Sequence, residues 1–125
     1  MKYKVLIVED NNINMDLIIA ILEPLNLDII TANDGYEALK EVDENPDISL
    51  ILLDIGLPGI DGIEVFKRLK CIGGAAKDIP VIAVTAHAMA GNKEHLLSLG
   101  FNGFVEKPID KNILYKKIKQ YLKLD

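Results

Sequence analysis

Residues 47–62 read DISLILLDIGLPGIDG, and this stretch decides the fold. Residues 50–53 form an unbroken Leu/Ile run, the pattern of an interior strand covered on both faces. The run ends in Asp54, the first charge after it, followed at once by a Gly- and Pro-containing turn. Packing alone does not ask for a carboxylate there. A second strand-like run, YKVLIVED at 3–10, ends the same way in Glu9 and Asp10.

Outward from these runs, the chain alternates strand and helix patterns. Strands are predicted at 3–8, 27–32, 48–53, 80–86 and within 101–106, and helices at 12–24, 34–45, 63–70, 89–100 and 110–123. The first helix shows apolar spacing at Ile13, Leu17, Ala20, Ile21 and Leu22, with Asn12 as N-cap. The second places Ala38, Leu39 and Val42 on one side and stops before Pro46. Gly100 suits a left-handed cap on the fourth. The last carries Ile113, Leu114, Ile118, Tyr121 and Leu122 as its stripe.

Five βα units with strands apolar on both faces need helices on both faces, so the sheet is parallel and open. In such a sheet, ligands bind beyond the carboxyl ends of the strands. Glu9, Asp10, Asp54, Thr85 and Lys107 all fall at or just past those ends.

The chain has 125 residues, enough for one domain, of which 50% are hydrophobic and 26% charged. No apolar run is long enough to span a membrane, and the N-terminus lacks a signal-peptide pattern, which favours the cytoplasm. Cys71 is the sole cysteine and cannot form an internal disulfide. A net charge of −5 argues against direct nucleic-acid binding.

Three carboxylates at one edge repel. A hard divalent cation, a cationic partner or raised pKa values would accommodate them. Oxygen-only ligands suit Mg²⁺, which binds one or two carboxylates together with substrate phosphate. Lys107 offers a point charge for a phosphoryl oxygen, Thr85 a hydroxyl, and Asp54 a carboxylate able to carry a phosphoryl group covalently.

The motifs VLIVEDNNINMD, ILLDIGLPGIDG, PVIAVTAHA and GFVEKPID resemble those of the response-regulator receiver domain, in order and over essentially the whole chain. The resemblance implies a single receiver domain over 1–125. Its fold would be a doubly wound (βα)₅ sheet of flavodoxin-like strand order 2-1-3-4-5. It implies a two-component phosphorelay regulator in which Asp54 is the phosphoacceptor. Asp10, Asp54 and the backbone carbonyl of Gly56 would hold Mg²⁺, or Mn²⁺ in its place, with Glu9 supporting the metal through water. Thr85 and Lys107 would contact the phosphoryl group, and Phe104 would be the switch aromatic. A cis Lys107–Pro108 bond is also implied.

A sensor histidine kinase or histidine phosphotransfer protein would donate the phosphoryl group. The signal would leave by the face of the fourth helix, fifth strand and fifth helix, roughly 89–121, to a protein that the sequence does not name. Transient dimerisation is compatible with this. Single-domain regulators and hybrid-kinase receivers share these motifs; Met1 and the tidy ends favour the former. Such a chain would catalyse its own phosphorylation and dephosphorylation without being a turnover enzyme.

Gly56 provides no side chain where many relatives carry a polar one near attacking water, so phosphoryl lifetime stays open. It also argues against an aspartyl-phosphate phosphatase, which needs a second carboxylate there. His87, two residues after Thr85, is a candidate modulator at the site mouth, whereas His95 is expected on the surface of a helix. A nucleotide or flavin module lacks its Gly-rich loop, since EDNNIN follows the first strand. A pseudo-receiver would be expected to have lost Asp54, Lys107 or the acidic pair. A non-switching phosphoryl sink or relay remains an alternative.

Overall fold

The computed structural model describes residues 2–86 and 90–122. Five strands, β1 (Lys4–Val8), β2 (Asp28–Ala32), β3 (Leu50–Asp54), β4 (Val81–Thr85) and β5 (Gly103–Glu106), form one parallel sheet in the order β2-β1-β3-β4-β5. The helices are α1 (Asn12–Leu22), α2 (Gly35–Glu44), α3 (Gly62–Ile72), α4 (Ala90–Leu99) and α5 (Lys111–Tyr121). The expected doubly wound sheet and its strand order are both present.

The sheet divides the core in two. Leu6, Val8, Ile51, Leu53, Val81 and Ala83 point to the face covered by α2, α3 and α4. Val5, Ile7, Leu50, Leu52, Ile82 and Val84 point to the face covered by α1 and α5. Successive side chains of a strand alternate between faces, so strands buried on both sides must be apolar throughout. On the first face Phe66 and Phe101 stack with ring centroids 4.0 Å apart.

Helix ends follow local chemistry. Asp34 and Asp61 cap α2 and α3 by accepting from the backbone N–H of Glu37 and Glu64. Gly100, at φ 112°, ends α4. There Phe101 N–H donates to Leu96 O and Gly100 N–H to Leu97 O, satisfying carbonyls that the helix leaves open.

Four details differ from the sequence reading. The N-cap of α1 is Asn11, whose side chain accepts from Asn14 N–H at 3.0 Å, and not Asn12. The inner face of α1 is Met15, Ile18, Ile21 and Leu22, while Ile13 is 80% exposed and Leu17 42%. This helix is apolar almost all round, so spacing does not single out one face. On α5, Leu114 and Ile118 are buried but Ile113 faces outward. A helical turn at Ala75–Asp78, absent from the sequence reading, joins α3 to β4.

Candidate functional site

The strands deliver the site. β1 ends at Val8, aligned with Leu53 of β3, so Glu9 and Asp54 leave the sheet side by side. Asp54 aligns with Val84, and Thr85 with Glu106, which places Thr85 and Lys107 along the same edge. Backbone bonds carry the ladder into the loops: Glu9 N–H donates to Ala32 O, Ile55 N–H to Val84 O and Lys107 N–H to Thr85 O at 2.8 Å. Lys107–Pro108 is cis, as the resemblance implied.

Glu9, Asp54 and Thr85 are the buried polar side chains among the described residues, at 1%, 4% and 7% exposure. All lie at this edge. Carboxylate oxygens of Glu9, Asp10 and Asp54 lie within 4.8 Å of one another. Asp10 is exposed and forms the outer side of the cluster.

The Lys107 ammonium stands between the two buried carboxylates, 2.9 Å from Glu9 Oε1 and 3.2 Å from Asp54 Oδ2. Asp54 Oδ1 accepts from Gly56 N–H at 3.0 Å, and Glu9 Oε2 from Asn11 N–H at 3.1 Å. Glu9 Oε1 meets the ammonium charge but outside hydrogen-bond geometry, so it is a buried acceptor without a hydrogen bond. Burial pushes the Glu9 carboxyl above its ordinary range. The Lys107 and Asn11 contacts oppose this and the Asp54 charge adds to it. Burial works against the Lys107 ammonium, but the carboxylates outweigh it and raise its pKa.

This donor set fits a hard divalent cation. It is all oxygen, it carries excess negative charge, and one buried oxygen lacks a hydrogen bond. The cluster opens into a cleft of about 460 Å³ between the β3–α3 connection and α4. Ile55, Ile63 and Leu96 form its apolar wall.

The sequence-named residues Glu9, Asp10, Asp54, Gly56, Thr85 and Lys107 all line this one cleft. Phe104 stands apart, half-buried in β5. His87 lies outside the described residues. His95 is exposed, as expected of a surface residue, yet it also lines the cleft beside Leu96. Asn11 and Asn14 border the acidic end. The sequence reading named neither of these and placed the helix cap at Asn12; the cap signal next to the acidic pair could have pointed to Asn11. The placement of His95 depends on how α4 leans on the sheet, which no spacing reports.

Residues 5–119 match the response regulator receiver domain. The chain belongs to that family. Receiver domains of two-component systems work with histidine kinases or phosphotransfer partners. It is 42% identical over 123 residues to the polar-differentiation response regulator DivK of Brucella anthropi, covering 98% of each chain. It is 41% identical over 120 residues to hybrid signal transduction histidine kinase I of Dictyostelium discoideum, covering 92% of this chain. It spans only 7% of that kinase, and 12% of the histidine-protein kinase BarA of Escherichia coli K12, to which it is 38% identical over 117 residues. A solved relative is the receiver domain of the sensor histidine kinase PA1611 from Pseudomonas aeruginosa PAO1. The two share a TM-score of 0.86 and 28% identity, over 97% of this chain and 98% of that one. That structure holds a magnesium ion in its active site cleft. Among the described residues, no helix is long and apolar enough to cross a membrane.

Proposed function

We propose that the chain is a single receiver domain over 1–125, acting in the cytoplasm, that accepts one phosphoryl group on Asp54 from a donor phosphohistidine. The observation that carries this reading is the surroundings of Asp54. It is 4% exposed, lies in a cluster with Glu9 and Asp10, and has an ammonium 3.2 Å from Oδ2.

In the transfer, an Asp54 carboxylate oxygen forms the new O–P bond as the donor N–P bond breaks. The bonding pair stays on the imidazole nitrogen. Asp10, Asp54 and the backbone carbonyl of Gly56 would hold Mg²⁺, with Glu9 behind them through water. When bound, the ion supplies charge that offsets the carboxylates and the phosphoryl oxygens. Lys107 already lies against Asp54 and holds a positive charge where the phosphoryl oxygens arrive. Thr85 supplies a hydroxyl from the neighbouring strand. The Gly56 N–H contact orients the Asp54 carboxylate.

After transfer the aspartate monoanion is replaced by a group of about −1.5 to −2 charge. Lys107 and Thr85 are drawn toward it, and Phe104 and the α4–β5–α5 face respond. The signal then leaves by protein contact at that face.

The test is intact mass after incubation with acetyl phosphate, with and without Mg²⁺. One phosphoryl group is expected on the wild type with Mg²⁺ and none on Asp54→Asn. Asp10→Asn should need more Mg²⁺ for the same labelling. Equal labelling of wild type and Asp54→Asn would remove Asp54 from its role.

A further inference from the structure

Phe104 stands in the middle of β5, half-buried, with one side against the core beneath α3 and α4. Two ammonium groups converge on its ring from different helices. Lys93 Nζ of α4 is 5.2 Å from the ring centroid and Lys117 Nζ of α5 is 5.8 Å. Arg68, Lys70 and Lys111 stand singly over Tyr36, Phe66 and Tyr115. Lys93 also pairs with Glu106 of β5 at 3.2 Å. Three residues past the ring, Lys107 reaches Glu9 and Asp54. The strand is therefore fastened to the acidic cluster at its end and to both flanking helices at its middle.

We propose that Lys93 and Lys117 form a cationic clamp on Phe104 that holds α4, β5 and α5 in their resting arrangement. Release of the clamp lets this face follow a change of charge at Asp54. The trigger rests on the receiver reading given above; the clamp does not.

The negative face of an aromatic ring attracts an ammonium, modestly where water reaches the contact. Phenylalanine has no hydroxyl, so no hydrogen bond from the ring can fix its orientation. The cations and the packing beneath it must do so. Turning the ring away breaks both contacts together and leaves Lys93 with Glu106 alone. Pull on Lys107 from a new dianion acts on the same strand and must overcome these contacts before the ring can leave. The clamp thus favours the unphosphorylated arrangement.

Bulk electrostatics makes the opposite forecast, which gives the test its force. Neutralising two lysines makes an acidic chain more acidic and should weaken the binding of an anion. Releasing a clamp should strengthen it.

The test uses Lys93→Gln with Lys117→Gln, each single change, Lys93→Arg with Lys117→Arg to restore the cations, and Lys111→Gln as a control. Lys111 faces Tyr115 at 5.5 Å, away from Phe104. Two readouts are taken by NMR. The first follows the Phe104 ring protons and the amides of 90–99 and 103–106 without any phosphoryl mimic. The second is the affinity for beryllofluoride with Mg²⁺.

The double Gln variant should move the ring and amide signals along the direction that beryllofluoride moves them in the wild type. It should bind beryllofluoride about fivefold more tightly, the order set by two partly exposed cation–π contacts. The single changes should fall between, the double Arg variant should return to wild type, and Lys111→Gln should match wild type. Unchanged ring signals in the mimic-free double variant, or weaker beryllofluoride binding than wild type, would overturn the clamp. Failure of the wild type to bind beryllofluoride would instead sink the receiver chemistry, while the mimic-free ring signals still decide the clamp.

Discussion

Lys4 and Asp47 meet at the amino end of the β1–β3 pair, 3.0 Å apart, with the Asp47 side chain 68% exposed. Lys107 meets Glu9 and Asp54 at the carboxyl end, at 2.9 and 3.2 Å, with those side chains 1% and 6% exposed. The residue types and distances are nearly the same. The outcomes are opposite. At the open end the hydrogen bond from Lys4 lowers the Asp47 pKa. At the closed end burial wins and the Glu9 pKa rises despite the ammonium beside it. A lysine–carboxylate contact therefore says little by itself; its surroundings decide whether it relaxes the molecule or stores charge in it. Two buried carboxylates around one ammonium are an expensive arrangement for stability alone, which is why this end of the sheet reads as the working end.

The largest test of that contrast uses the glycines at the two ends of α3. A Cβ on Gly62 would lie 2.4 Å from the Asp54 carbonyl oxygen and 2.6 Å from Ile55 Cα. Both are backbone atoms, so no rotamer relieves the clash. Gly73, at the opposite end, has φ +78° but open space around its Cβ position. Gly62→Ala should cost about 3–4 kcal/mol in urea unfolding. Gly73→Ala should cost about 1–2 kcal/mol, from backbone strain alone. Equal costs would mean that the carboxyl end is not the tightly built one.

Removal of each lysine comes next. Lys107→Ala leaves Glu9 and Asp54 buried without their cation. A loss of about 2 kcal/mol is expected without metal, below the range for a fully buried pair because Lys107 is 21% exposed. Added Mg²⁺ should recover more stability in this variant than in the wild type, because the ion replaces the missing charge. Lys4→Ala should leave the urea midpoint almost unchanged, with or without Mg²⁺. A Mg²⁺ response equal in both variants would detach the metal from the acidic cluster.

Much of this was legible in the sequence, for reasons that particular residues make plain. The inner strands β1, β3 and β4 could be read because both their faces are buried. The Leu50–Leu53 run therefore has no polar residue to blur it, and its end marks the site. The alternation of strands and helices then fixed which edge would gather Glu9, Asp54, Thr85 and Lys107. The inner face of α1 could not be read. Ile13 and Leu17 are as apolar as Ile18 and Leu22, and only the placement of the helix on the sheet separates them. Nor could the position of Lys107 between Glu9 and Asp54, since strand order sets which residues share an edge but not where a flexible ammonium comes to rest. The Lys93 and Lys117 contacts with Phe104 depend in the same way on how two helices lean on one strand.

The smallest expected effect is also the most direct comparison of the two ends, because it is read as opposite slopes against pH. The Glu9 pKa in the folded chain lies above its ordinary value of 4.5. The folded state keeps a proton that the unfolded chain releases, so the Glu9 contribution is whole below 4.5 and is lost as pH rises through the folded value. The Asp47 pKa lies below its ordinary value of 3.8, so its contribution is present above 3.8 and is lost as pH falls through the folded value. Urea midpoints of the metal-free wild type, Glu9→Gln and Asp47→Asn, followed through the acid range, should separate these terms. The advantage of wild type over Glu9→Gln should shrink with rising pH, and that over Asp47→Asn should grow. Added salt should flatten the Asp47 difference, because that pair is in water, and leave the Glu9 difference largely intact. Slopes of the same sign, or equal sensitivity to salt, would show that burial does not distinguish the two ends of the sheet.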